Sequence, residues 1–350
     1  MKVEKKVLAN LEKCYSITPL KYNDREHFLV AAEKVDRCIL FDTDGNEEGT
    51  VWNGPGGVMS MVQVPGTDGQ FLATHRFYSP NDGASAGIVI VTPNGRGNWE
   101  RRTLVQLPFV HRFDILERNG RRYLIACTIK SAHEYKDDWR SPGKVYAAEL
   151  PVDLSGFDAD NQLALPIIKD DMPKNHGYYR CTDKAGTEYA VVSSAAGIFR
   201  MYPPEYSGSE WAITQLSDIP ASDALLLDLD GDGTEELAVL SPFHGDTFLI
   251  LKESGGTFSP VYTCPEKMEF LHAIYGGQLC GRPGVVVGYR KGKKELLVFS
   301  YNPLTHSYEH AILDTDCGPA NVFHYMHNGR DIIISANREI DEVAMYTVRD

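Results

Sequence analysis

Short apolar runs separated by polar, glycine-containing turns recur along the whole chain, and one arrangement repeats: a polar residue, an apolar strand, a glycine turn and a second apolar run. The clearest example is LPFVHRFDIL at 107–116. MPKNHGYY from 172, IPASDALL from 219, MEFLHAIY from 268 and GPANVFHY from 318 follow the same plan. The second runs are YLIAC (123–127), YAVVS (189–193), LAVLS (237–241), VVVG (285–288) and IIIS (332–335). Counting back about 11 to 14 residues from each lands on His111, His176, Asp223, His272 and Asn321, at intervals of 65, 47, 49 and 49. A repeat near 50 residues made of short strands predicts a β-propeller, because one such unit buries its faces only by stacking on its neighbours. Two β-sandwiches would also be rich in short strands, but they require no constant repeat.

Seven units fit. The first holds FLVAA (28–32) and RCILF (37–41) with GTVWN (49–53) outermost. The second, from Gly56, holds VMSMVQV, QFLATHRF, GIVIV and WERRTLVQL, divided by GTDG and PNGRGN turns that suit hairpins. The third spans about 107–150 and carries an irregular stretch to Asp171. Units four to six end on WAITQL (211–216), FSPVYTC (258–264) and YEHAIL (308–313), and the seventh has three strands before the chain ends. Val3 to Leu11 supplies its fourth, closing the ring and removing two open sheet edges. The expectation is one all-β domain over 1–350, a seven-bladed β-propeller with the N-terminal strand in the last blade.

Composition narrows the function. No apolar run reaches about 18 residues, so no membrane span is expected. The N-terminus lacks the apolar segment of a secretory signal, which predicts a cytoplasmic protein. Seven scattered cysteines without a C-x-x-C pair read as free thiols. A net charge of −13 with no basic run argues against nucleic acid or an acidic membrane as partner.

Two constellations carry candidate chemistry. The first is the repeat-register set, since equivalent positions at the starts of innermost strands converge on a propeller axis. Three imidazoles (His111, His176, His272) with Asp223 and Asn321 match the ligand preferences of Zn, Mn or Fe. Units one and two give only Ser16 and Met59 at this register, leaving a sector for substrate. Loops between second and third strands open on the same face and carry His75, Arg76, Lys130, His133, His244, Arg290 and Arg338. Cations gathered on one face of an acidic protein suit an anionic substrate. Tyr178 and Arg180 alternate with His176 along one strand face, as proton donor and carboxylate partner.

The second is DLDGDGTEE at 228–236, with carboxylates Asp228, Asp230, Asp232 and Glu236 at positions one, three, five and nine and Gly233 at six. Alternating oxygen ligands around a glycine turn suit calcium, on the face opposite the histidines. The segment resembles the calcium loops of FG-GAP propeller repeats, D-x-D-G-D-G-x-x-D/E before an apolar strand. The match covers one repeat; GTDG, RNGR, DKAG and HNGR keep the glycine and lack the ligands. With an axial histidine cluster added, the chain resembles the propellers that act on sugars: rhamnose–glucuronate, ulvan and oligogalacturonate lyases and aldos-2-ulose dehydratases. The resemblance implies a carbohydrate-active lyase performing metal-assisted β-elimination on a uronate-containing oligosaccharide; on this chain's own register His75 or His133 is the base and Tyr178 the proton donor to the leaving oxygen. It leaves open a keto-sugar dehydratase or isomerase, or a non-catalytic propeller that binds a sugar or a protein.

Overall fold

The computed structural model describes residues 1–95 and 97–349. Its strands form seven four-stranded antiparallel sheets. The first strands of successive sheets touch one another in a closed circuit, each packing on the next and the seventh on the first. These innermost strands are Cys14–Tyr22, Met61–Gln63, Val110–Arg118, Gly177–Thr182, Asp223–Leu227, Leu271–Leu279 and Asn321–His327. The result is a seven-bladed β-propeller around a central channel. Among the described residues the helical content is one 3-10 turn, Arg338–Ile340.

The alternating pattern acts between blades. Side chains on the two faces of each sheet enter two different apolar layers, and there are seven such layers, one per blade interface. In the second strand of blade three, Leu124 and Ala126 pack toward blade two while Ile125 and Cys127 pack toward blade four. That is why second strands read as unbroken apolar runs: both of their faces are buried.

The N-terminal strand, Lys2–Asn10, pairs antiparallel with Glu342–Arg349 as the outer strand of blade seven, from Lys2 opposite Arg349 to Asn10 opposite Glu342. Lys5 adds ion pairs to Asp314 and Glu342, both at 2.8 Å. Blade three departs from the expected plan. Its outer strand is Ile167–Met172, beyond the irregular stretch rather than before it. The intervening segment packs across the blade two–three layer through Leu154 and Leu163, and the Arg102 guanidinium binds the carbonyls of Leu154, Ser155 and Phe157. In blade two only Met61–Gln63 of the VMSMVQV run is strand, and the PNGRGN turn includes Arg96, outside the described residues.

Candidate functional site

At one mouth of the channel a repeated backbone device aims side chains at the axis. The residue two positions before the axial one has a positive φ in six blades: Lys13, Gly57, Phe109, Lys174, Phe270 and Gly318. In three blades the pairing then skips a residue, at Cys14/Ser16, Val110/Arg112 and Leu271/Ala273. The extra residues of these β-bulges are Tyr15, His111 and His272; a bulge leaves its residue outside the ladder and re-aims its side chain. The axial register is therefore Tyr15, Met59, His111, His176, Ser222, His272 and Ala320.

Hydrogen bonds link successive blades along this register. Nδ1–H of His111 donates to the carbonyl of His176 (3.3 Å), that of His176 to the carbonyl of Ser222 (3.1 Å), and that of His272 to the carbonyl of Ala320 (2.7 Å). A carbonyl only accepts, so each Nδ1 carries the proton and each Nε2 presents a lone pair. Such backbone bonding fixes ring orientation and tautomer in metal-ligating histidines.

Asp223 and Asn321 lie one residue past this register and do not join the imidazoles. Asn321 donates from Nδ2 to the carbonyl of Tyr15 (2.8 Å) and accepts from Arg112 (3.4 Å). Asp223 is buried and accepts from the Ala224 N–H (3.0 Å). The ligand atoms that come within 4.8 Å of one another belong to His176, His244 and His272. His111 stands beside this group, its ring centroid 4.5 Å from that of His176. Its Nε2 faces the Tyr15 hydroxyl at 3.4 Å, which lies 3.1 Å from Nε2 of His272.

His244 comes from the loop between the second and third strands of blade five. It has a positive φ of 49°, and it is followed by Gly245, where a Cβ would fall 2.2 Å from Pro242. Only glycine fits a turn closed that tightly. The His244 ring stacks between Phe243 (3.9 Å) and Phe270 (4.2 Å).

Nε2 of His176 and Nε2 of His244 are buried without a hydrogen-bond partner. All four rings are held neutral at physiological pH. Burial takes His111, His176 and His272 well below the ordinary 6.5, and burial together with Arg290, Lys174 and Lys291 lowers His244 to about 3. Three neutral imidazoles whose ligand nitrogens lie within 4.8 Å of one another, with Nε2 of His176 and of His244 buried and unpartnered, fit a borderline divalent cation.

The remaining expected residues occupy other places. His75 packs against Trp52 and opens on a separate cavity of about 280 Å3 with Arg76 and Arg101; burial and those two arginines lower it to about 3. His133 packs edge-on against Phe109. Lys130 is fully buried, donates to the carbonyl of Asp138 (2.7 Å) and lies over Trp139. Arg290 is paired with Glu339 (2.7 Å), and Arg338 with Glu33 and Glu339. Tyr178 and Arg180 line the channel deeper in, where Arg180 grips Asp114 through Nε and Nη2.

On the opposite face Asp228, Asp230 and Glu236 converge, around a turn that places Gly233 at φ 89°. Lys252 reaches into the loop, its ammonium 2.5 Å from Asp230, 2.7 Å from Asp232 and 2.8 Å from Glu236. A single side-chain cation thus stands among these carboxylates and offsets part of their charge.

Sequence reasoning missed Tyr15 and set His244 among the loop cations. A signal for Tyr15 exists, one residue before the Ser16 found by counting.

No family model matches the chain, and no curated protein is similar enough to count as a relative. Solved structures do match. The Cps50 (Swd1) β-propeller domain of Myceliophteria thermophila superposes with a TM-score of 0.59 at 8% identity, covering 99% of this chain and 100% of its own. A streptogramin B lyase superposes with a TM-score of 0.54 at 13% identity, covering 99% and 97%. A glucose dehydrogenase does so with a TM-score of 0.50 at 13% identity, covering 99% of each. At such identities the likeness is one of fold: the chain is a seven-bladed β-propeller.

Proposed function

We propose that the protein is a metal-dependent enzyme working at the histidine-lined mouth of its channel, and that its reaction is β-elimination from a uronate-containing sugar. One observation carries the reading: the unpartnered, buried Nε2 atoms of His176 and His244 beside His272. The structural neighbours supply the fold and not the chemistry.

His176, His244 and His272 are the residues that would hold zinc, manganese or iron, and such an ion, when bound, polarises a carboxylate or carbonyl oxygen as a Lewis acid. The protein's own groups do the rest, and His111, whose Nε2 carries a lone pair and lies outside the metal-holding set, is the base that would take the C–H proton. Lys174, Arg290 and Lys291 give the mouth a positive field, felt as the lowering of His244, which favours an anionic substrate. Phe77, Phe243 and Phe270 pack against the imidazoles and limit water around them. Tyr15, its acidity suppressed by burial, keeps its proton beside Nε2 of His111 when Nε2 of His272 holds the ion, and would pass it to a leaving oxygen.

A second reading has its own support. Arg290 and Arg338 are already neutralised by Glu33 and Glu339, which suits an uncharged keto sugar and a dehydratase. The test incubates metal-loaded and chelator-stripped protein with a uronate oligosaccharide and, separately, with an aldos-2-ulose. Metal-dependent ultraviolet absorbance from an unsaturated uronate supports elimination, and turnover of the keto sugar alone supports the dehydratase. No metal and no turnover of either leaves a non-catalytic binding propeller.

A further inference from the structure

Beyond the imidazole layer the channel contains a cavity of about 450 Å3 whose charged lining is Arg112, Asp114 and Arg180. Two of the three cancel. Asp114 accepts both Nε and Nη2 of Arg180 and the N–H of Ile115 (2.7 Å), so its oxygens are satisfied. Arg112 is different. It makes no ion pair among the described residues, and its bonds are two long ones, Nη1 to the carbonyl of Met59 (3.2 Å) and Nη2 to Oδ1 of Asn321 (3.4 Å). Its Nε is buried without a partner, and the hydroxyl of Tyr178, a second residue of the same lining, has as its neighbour the Asp114 carboxylate, whose oxygens are already engaged.

A guanidinium presents its donors in a planar fork that matches a carboxylate or phosphate, and removing it from water without a counter-charge is unfavourable. Asp223 is the carboxyl within electrostatic reach, but burial lifts it to about 7, which Arg112 only partly offsets. It is therefore an incomplete counter-ion at neutral pH. The cavity has the size of a small-molecule site, with an apolar wall from Met61, Val62 and Phe323 and a few polar groups.

We propose that this part of the channel is a second binding site, in which Arg112 holds the carboxylate or phosphate of a monosaccharide-sized molecule and Tyr178 supplies a further donor. Neither residue is among the three that would hold a metal, though Arg112 borders the histidine centre through the Tyr15 ring.

Isothermal titration of the whole, chelator-stripped protein tests this with three probes: gluconate, inorganic phosphate and glucose. Saturable binding of gluconate or phosphate, with none of glucose, is expected, and the stronger anion identifies the source of the oxyanion. Arg112→Met weakens that binding at least about tenfold, Tyr178→Phe weakens it less, and His244→Ala leaves it unchanged. If Arg112→Met fails to fold, the Tyr178→Phe comparison decides. Failure of both anions to bind the folded wild type overturns the proposal. So does affinity untouched by either channel substitution, or lowered equally by His244→Ala.

Discussion

The Tyr15 hydroxyl lies 3.1 Å from Nε2 of His272 and 3.4 Å from Nε2 of His111, and it has one proton for two acceptors. Both rings spend their own proton on a backbone carbonyl, so one of the two lone pairs is always left over. With Nε2 of His176, the layer presents more acceptors than donors, as expected of a cation site. Replacing Tyr15 with Phe removes the shared proton while keeping the ring against Arg112. Turnover should fall by roughly 10²-fold, with metal content retained and stability lowered by no more than about 1.5 kcal/mol. Unchanged turnover removes Tyr15 from the chemistry.

The first strand carries its own prediction. Deleting residues 1–13 exposes the edge formed by Glu342–Arg349, uncovers part of the layer to which Leu8 and Leu11 belong, and breaks the Lys5 ion pairs. A loss of at least about 3 kcal/mol is expected from the apolar area alone. Chemical denaturation checks it; a truncated chain as stable as the whole contradicts the closure.

Much of this was legible in the sequence because blade faces impose a pattern. The repeat near 50 residues, the second strands as apolar runs and the N-terminal strand in the last blade all follow from burial. The site was less legible. Counting along a strand assumes one residue per rung, and the bulges at Tyr15, His111 and His272 break that assumption. Hence a single count could not fit bulged and regular blades together: Ser16, Asp223 and Asn321 stood one position off the axis, while His111 and His272 are themselves the irregular residues and His176 directly precedes a regular strand. His244 belongs to a loop whose inward turn depends on backbone geometry at 244 and 245, which no periodicity encodes.

The charge of the acidic loop at 228–236 is partly offset by Lys252. Lys252→Met should cost on the order of 2 kcal/mol in chelator, and added calcium should restore part of it. Wild-type protein, measured alongside by thermal melting, should respond to calcium less than the variant. A wild type that loses stability in chelator, with a variant that behaves identically, would make calcium the resident cation.

Stability should depend on pH through two opposed sets of groups. The axial histidines are depressed in the folded protein relative to an ordinary 6.5, so their contribution is present above 6.5 and is lost as pH falls through their lowered values, about 3 for His244. Asp223 is raised from 3.8 to about 7; its contribution is present below 3.8 and is lost as pH rises through 7. Melting temperature should therefore drop steeply below pH 6. Asp223→Asn should gain roughly 2–4 kcal/mol at pH 8 and little at pH 4. A gain of equal size at both pH values would show that Asp223 titrates normally.

A metal held by His176, His244 and His272 would be located by anomalous diffraction above and below the Zn, Fe and Mn edges. One peak is expected about 2.0–2.2 Å from one ring nitrogen of each of the three, abolished in His176→Ala and His244→Ala and retained in His111→Ala. An active protein whose crystals show no anomalous peak within reach of these three imidazoles would contradict it.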